Sequence, residues 1–484
     1  MLTLEFWSSF SKLFERRAYN KHSRIKRRHE MKRSGNTSII ILLSLYLILI
    51  SLISVEAVNA DEGGDKVYTL DESIREAFER NWAVKEKEEK IEENGFVEKQ
   101  AKAGFLPTFS TSYSYTRLGE KRTIKSPAFE GFPGGGGAAE LEIGSQDNYQ
   151  WKGSITQPLF TGFALTSSLD LAKLGIDQSK IELEMEKLGL ALEVKEAYFN
   201  ILRADKGVGV AEKAVESLKS HLEVATNFYE VGMIPINDLL KAEVELANAQ
   251  HDLIKAQNAS QLAKAFFNNL LAKPINSKVE IEDILIYQPE NPDFEYYLDM
   301  ALKNRPEIKT LEINSMQIDQ QIKLAKSEYY PEIALIYDYT KEGDTPGVSG
   351  SLFHEPSTWQ AVLGVSWTFW DWGKTRYSVR QNESLKRQLV QTKRILEDGI
   401  KLEIKKAILD LQEAEKNIPT AKKAVQQAEE NLRVSEERYK IHVTTSTEVL
   451  DAQTLLSQAR MNYYNALYDH NLAKAMLLRA MGEY

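Results

Sequence analysis

A chain of 484 residues, 27% charged and 43% hydrophobic, with a net charge of −9 and no cysteine, is too long for one compact core. Its mean hydropathy of −0.39 excludes a polytopic helical membrane protein, which needs several apolar runs of about 20 residues. Without cysteine there is no disulfide, thiolate metal site, thiol nucleophile or cysteine-borne lipid anchor.

Residues 1–60 hold ten Lys or Arg against four Glu, so the remainder is more acidic than the whole chain, which argues against nucleic acid as a partner. One apolar run, Ser38 to Val55, follows this basic segment and precedes Val58, Asn59 and Ala60, a small-residue cleavage pattern. It reads as a signal peptide, with a single-pass anchor as the competing reading. Met31, Lys32 and Arg33 resemble an ordinary start, which makes residues 1–30 a candidate extension.

Beyond residue 66 the chain occurs twice. Leu70 to Phe78 recurs as Phe294 to Leu302, and Phe105, Leu106 and Pro107 as Tyr329, Tyr330 and Pro331, an offset of 224. An offset of 210 then carries Leu159, Phe160 and Thr161 onto Phe369, Trp370 and Asp371, Tyr229 onto Tyr439, and Asp238 to Leu240 onto Glu448 to Leu450. The first repeat therefore has the longer loop between its strands. The repeats are assigned to residues 67–285 and 292–484.

Each repeat reads as helix, strand, loop, strand, long helix, tight turn, helix. Thr69 or Asp71 can cap the first helix, and Pro292 with Asp293 its counterpart. Helices at Trp82 to Gly104 and Pro306 to Ser327 lead into strands. In Thr108 to Thr116, Phe109, Thr111, Tyr113 and Tyr115 alternate with Thr or Ser. Glu332 to Thr340 alternates likewise through Ile333, Leu335, Tyr337 and Tyr339, as do Tyr149 to Thr156 and Trp359 to Phe369. Four strands of about ten residues suit a tilted bilayer crossing, with Tyr and Trp near their ends. A half-buried sheet in a soluble sandwich shows the same alternation. The loops Leu118 to Asn148, with its flexible Gly134 to Gly137, and Lys341 to Ser357 then face outside the cell.

Leu165 to Tyr229 and Thr375 to Tyr439 hold no turn cluster and are rich in Ala, Leu, Glu and Lys at helical spacing. At 1.5 Å per residue each runs roughly 100 Å and demands coiled-coil partners. Gly207 and Gly209 in one, and Pro419 in the other, predict a shared bend. The return helices, Ile236 to Leu271 and Ser446 to Met481, are too short to reach back, and the helices before the strands supply the missing length. Four strands leave unpaired edges in lipid, so several chains must share one barrel, and three give twelve strands.

The chain resembles the TolC-like outer-membrane efflux protein family in Leu70, Asp71, Glu72, Ile74 and Ala77, in Ala103 to Pro107, Gln157 to Phe160, Trp370 to Gly373, Tyr229 to Gly232, and Glu448 to Gln453. The resemblance covers about residues 67–482. It implies an all-α coiled-coil barrel plus a transmembrane β-barrel: a homotrimer with four strands per protomer forming a 12-stranded barrel over a periplasmic helical tunnel. It further implies residence in the outer membrane of a Gram-negative-type bacterium, and export of substrates in a tripartite efflux or type I secretion system. The implied partners are a periplasmic adaptor, an inner-membrane transporter and outer-membrane lipid, with no cofactor and no nucleic acid.

By the same resemblance, Glu448 and Asp451 fall at the periplasmic constriction, where rings of carboxylates favour cations. Acids spaced three apart on an exposed helix are otherwise ordinary solvated charges. Tyr439 and Asp238 match closed-state contacts whose usual base falls on Thr444. Gly232, Met233, Ile234, His442 and Val443 form the turns expected to dock the adaptor, with a purely structural role in closing the hairpins as the alternative. His442 stands where the first repeat has Gly232. Seven histidines, none at metal-ligand spacing, and the lack of a phosphate loop or nucleophile motif argue against an enzyme. The rival reading is a membrane-anchored periplasmic coiled-coil adaptor or tether without a pore, which accounts for the helices and not for the strands.

Overall fold

A computed structural model describes residues 67–125, 140–287, 289 and 292–484. The signal segment, Met31 and Gly134 to Gly137 lie outside the described residues. The described chain forms one compact unit, Val67 to Tyr484, in which the same order of elements occurs twice apart from two short strands in the first loop. The first series is β1 (Val67–Tyr68), α1 (Leu70–Arg80), α2 (Trp82–Ala103), β2 (Thr108–Arg117), β3 (Thr123–Lys125), β4 (Glu140–Glu142), β5 (Asp147–Thr161), α3 (Ala164–Glu230) and α4 (Ile236–Leu270). The second is β6 (Glu280–Ile281), α5 (Phe294–Asn304), α6 (Pro306–Ser327), β7 (Glu332–Gly343), β8 (Thr358–Ser366), α7 (Lys374–Lys440) and α8 (Ser446–Met481). Among the described residues no helix is long and apolar enough to cross a membrane.

Local chemistry sets the helix starts. The Thr69 hydroxyl, rather than Asp71, caps α1 by accepting from the Glu72 N–H, and Asp293 caps α5 by accepting from the Glu295 N–H. The turns from strand into long helix use left-handed backbone, at Gly162 and Phe163 in one repeat and at Trp372 and Gly373 in the other. At Gly162 a Cβ would lie 2.4 Å from the Ser327 carbonyl oxygen, so only glycine fits.

The two long helices, 67 residues each, run as unbroken α-helix through Gly207, Gly209 and Pro419. Proline inside a helix costs about 3 kcal/mol. Buried Leu411, Ala414 and Ile418 just before Pro419 pack the helix against its neighbours, each large apolar side chain contributing about 1.5–3 kcal/mol.

Near the sheet the helices lie side by side in the order α2, α3, α6, α7, and away from it in the order α4, α3, α8, α7. Thus α2 and α4 together cover α3, while α6 and α8 together cover α7. Two cores mark the changeover. One buries Tyr198, Phe267, Ile201 and Val84, with the Tyr198 hydroxyl 2.9 Å from the carbonyl oxygens of both Tyr68 and Glu282. The other buries Ile400, Ile404, Leu411 and Leu477 beside Arg305, which is 4% exposed and bonds Glu307 at 2.9 Å and Glu403 at 2.5 Å.

The sheet is antiparallel in the order β2, β5, β7, β8. Strand β8 ends at Ser366, short of the expected Phe369, because its partner β7 begins opposite it at Glu332. Strand β5 continues to Thr161, which still has Glu332 across from it. Two small pairings escaped the sequence reading: β1 with β6, which ties the repeats, and β3 with β4 in the first loop.

Candidate functional site

Two regions carry chemistry: the sheet and the tips of the helical hairpins. The sheet register sorts side chains cleanly. Phe109, Ile155, Tyr337 and Ala361 form one row across all four strands, and Thr111, Gly153, Tyr339 and Trp359 the next. The alternate rows are Ser110, Ser154, Asp338 and Gln360, then Ser112, Lys152, Thr340 and Thr358. One face is therefore mostly aromatic and aliphatic, and the other is polar in these rows and mixed in the row of Thr108, Thr156, Ile336 and Val362.

The apolar face is open: Phe109 is 72% exposed, Trp359 68% and Leu363 63%. A contiguous apolar surface of this kind is costly in water and matches lipid. On the polar face Asp338 is buried among donors, accepting from Ser154 at 2.6 Å and Gln360 at 2.9 Å, with the Lys152 ammonium at 2.9 Å. These bonds stitch β5, β7 and β8 together.

At the far end, α3 turns into α4 through Gly232 (φ 74°) and α7 into α8 through His442 (φ 59°). The backbone bonds match: Met233 N–H to the Phe228 carbonyl and Val443 N–H to the Arg438 carbonyl. Histidine in left-handed backbone costs about 1–2 kcal/mol. Its ring lies 4.3 Å from that of Phe228, a contact that offsets part of this cost. Val231, Met233, Ile441 and Val443 are exposed at the tip, whereas Ile234 is half-buried.

Glu448 is not a free carboxylate. Arg438, on the preceding helix, holds it at 3.0 Å, and the Thr444 hydroxyl donates to its other oxygen. A base is thus present beside Thr444, six residues earlier in the chain. Asp451 is exposed and lines a groove of ≈ 750 Å³ between α4 and α8, together with Asp238 and Lys241. Lys241 donates to Thr447 across that groove at 3.3 Å.

Tyr439 is buried, packed on His221 and Phe228, and its hydroxyl lies near the Ser446 side chain without a well-formed hydrogen bond to it. Burial above all, then the nearby Asp238 carboxylate, pushes its pKa up. His221 lies 2.8 Å from the Ser446 hydroxyl at the start of α8, and burial lowers its pKa to about 4. The structure thus groups Tyr439 with Asp238, and Glu448 with Thr444. Arg438, Lys241 and His221 went unnoticed in the sequence. Arg438 alone was legible, as the base that a closed hairpin sets opposite Glu448. Among the described residues no group of three His, Asp or Glu could hold a metal ion.

The pattern of outer membrane efflux proteins matches residues 74–272 and 297–483. The chain is 23% identical over 361 residues to the outer membrane protein TolC of Escherichia coli (strain K12), covering 68% of each protein. It is 23% identical over 299 residues to the cobalt-zinc-cadmium resistance protein CzcC of Cupriavidus metallidurans, covering 60% of this chain and 67% of that protein. Among solved structures it is similar to the Campylobacter jejuni CmeC outer membrane channel, with a TM-score of 0.69 at 16% identity, covering 88% of this chain and 90% of that one.

Proposed function

The chain belongs to the outer membrane efflux protein family, and from that premise we propose that it is the outer-membrane duct of a tripartite efflux or type I secretion system, working as a homotrimer. The observation that carries this reading is the two-faced sheet with two open edges. Strands β2 and β8 each pair on one side only within the chain, and in lipid every backbone polar group needs a partner. Because the strands alternate in direction, β2 of a second copy can add antiparallel to β8. Three copies close twelve strands, with the apolar rows toward lipid and the Asp338 rows toward an aqueous lumen.

The helices continue that lumen as a periplasmic tunnel. At its narrow end three Asp451 carboxylates line the constriction and attract cations, while each Glu448 is balanced by Arg438. The closed state is held by the Arg438, Glu448 and Thr444 cluster, which supplies the base that position 444 lacks, with Tyr439 buried beside it under the influence of the nearby Asp238 carboxylate. Gly232, Met233, Ile234, His442 and Val443, with exposed Val231 and Ile441, form the tip that receives the helical hairpins of a periplasmic adaptor, and the inner-membrane transporter selects the cargo. The tether reading leaves the apolar sheet face in water, a cost that the channel reading removes.

Fractionation tests the proposal. Recovery in the outer membrane, cleaved after Ala60, and ion conductance after reconstitution are expected. Recovery in the inner membrane with an intact N-terminus would sink it.

A further inference from the structure

The groove beside Asp451 continues away from the tip into a second one of ≈ 580 Å³, formed by α3, α4 and α8 of a single chain and sharing Glu245 and Thr454 with the first. Its floor is open because α3 carries Gly207, Ala211 and Ala214 there, at the three- and four-residue spacing that stacks side chains on one helix face. A Cβ at Gly207 would meet nothing closer than the Met461 Cε, at 3.7 Å, so the floor has room for a side chain. Val210, Leu218 and Met461 complete an apolar wall. The volume lies in the range of sites that hold drug-sized molecules.

Two acceptors in this groove lack donors. On α4, Asp252 is paired with Lys255 at 3.3 Å, whereas Glu245 is half-buried and has no hydrogen bond or ion pair among the described residues. On α8, Gln453 is 4% exposed. Its Nε2 donates to the Ser457 hydroxyl at 3.2 Å, and its Oε1 has no partner among the described residues. Buried side-chain acceptors are nearly always paired in folded proteins, so this oxygen marks the place of a donor that the chain itself does not supply. Among the described residues no group of three His, Asp or Glu gathers to hold a metal ion, and the floor is apolar. The matching ligand is therefore an organic cation rather than a bare ion.

We propose that this groove binds a protonated amine with an apolar body: the ammonium donates to Glu245 and to Gln453 Oε1, and the body lies along Ala211, Ala214 and Leu218. The charge-assisted bond to Glu245 supplies most of the affinity, and the apolar floor selects against small hydrated ions. The site is complete within one chain. Its place in the duct rests on the channel reading above, which turns the Asp451 groove toward the lumen and so sets this one in the tunnel wall just inside the constriction. A cation held there occupies the route through the channel, and its body narrows that route.

The probe is dansylcadaverine, an aromatic body with one primary ammonium whose fluorescence rises in an apolar site, and dansyl amide, which lacks the ammonium, is its control. The full chain in a neutral detergent should bind dansylcadaverine saturably and dansyl amide about tenfold more weakly. Glu245→Gln, which keeps the size and removes the charge, should weaken binding about tenfold. Gly207→Leu, which a helix accepts and which fills the floor, should reduce the signal to that of the detergent alone. Glu243→Gln, exposed on another face of α4, should leave binding unchanged. Equal binding by wild type, Glu245→Gln and Gly207→Leu would overturn the site. In planar bilayers dansylcadaverine should block the wild-type current, and Glu245→Gln should need about ten times more for the same block. Binding without block in a conducting channel would overturn the place of the site in the tunnel wall. Binding by a protein that conducts no ions would overturn the duct reading and leave the cation site standing.

Discussion

Replacing both acids at the tip, Glu448→Ala with Asp451→Ala, should shift the ion preference of the reconstituted channel toward anions more than Asp451→Ala alone. Glu448 and Arg438 are paired at 3.0 Å with both side chains 45% exposed, so each pair contributes no net charge to the constriction. Asp238 and Lys241, of opposite sign in one groove, cancel as well, and Glu245, which also lines it, is an unchanged background in every variant. In the proposed trimer three Asp451 charges then change between variants. At about 8 Å in water each is worth roughly 0.5 kcal/mol to a permeating ion, and screening at 0.15 M salt reduces this about threefold. Together they favour a cation about 2.5-fold and disfavour an anion equally, which is about sixfold in the permeability ratio. Asp451→Ala should lower the cation-to-anion ratio about sixfold. The double variant also uncovers three Arg438 charges and should lower it about sixfold further, while Arg438→Ala with Glu448→Ala should leave the wild-type ratio. Reversal potentials in planar bilayers under a salt gradient measure all four. A double variant with the wild-type permeability ratio would remove these residues from the constriction.

Other outcomes follow from single contacts. Tyr198→Phe leaves the carbonyls of Tyr68 and Glu282 without their shared donor and should cost about 1–3 kcal/mol in thermal or denaturant unfolding; the intact phenol, pushed up to about 12 by burial, should not titrate below pH 11 by absorbance. Burial alone would raise the Glu307 carboxyl, but its bonds to Arg305 outweigh this and hold it below the usual carboxylate range. A depressed pKa stabilises above the unfolded value and is lost as pH falls through the folded one, so acid should weaken the wild type below about pH 4. Arg305→Met with Glu307→Leu should flatten that part of the pH profile. His221, neutral in its buried site and titrating at about 4, should destabilise the tip increasingly as pH falls from about 6.5 to 4. His221→Gln, which can keep the Ser446 bond, should remove this loss as read by hydrogen exchange at residues 439–450.

Most of the fold was legible because it is periodic and duplicated. The bounds of α3 and α7 fall within one residue of the uninterrupted helical patterns, since 67 residues without a turn signal leave the chain no other option. The strands showed in the alternation of Phe109 to Tyr115 with serine and threonine. The end of β8 was misplaced because alternation marks which residues can pair, while the partner decides which do. Trp367 and Phe369 keep the pattern, yet β7 has no residue opposite them.

The tip was less readable. Gly232 flagged its own turn, but His442 adopts the same left-handed geometry without glycine, supported by a ring from the other hairpin. The partner of Glu448 was missed because Arg438 comes ten residues earlier, beyond helical spacing, and only the closed turn brings the two together. His221 gave no local signal at all, since its burial depends on α8 packing across α3.

The most direct test of the account is the architecture of the purified protein in a lipid nanodisc, imaged by cryo-electron microscopy. The account predicts one barrel of twelve strands shared by three chains, with β8 of each paired to β2 of the next and a single helical tunnel below. A barrel built by one chain, or a helical particle with no strands in the lipid disc, would contradict it.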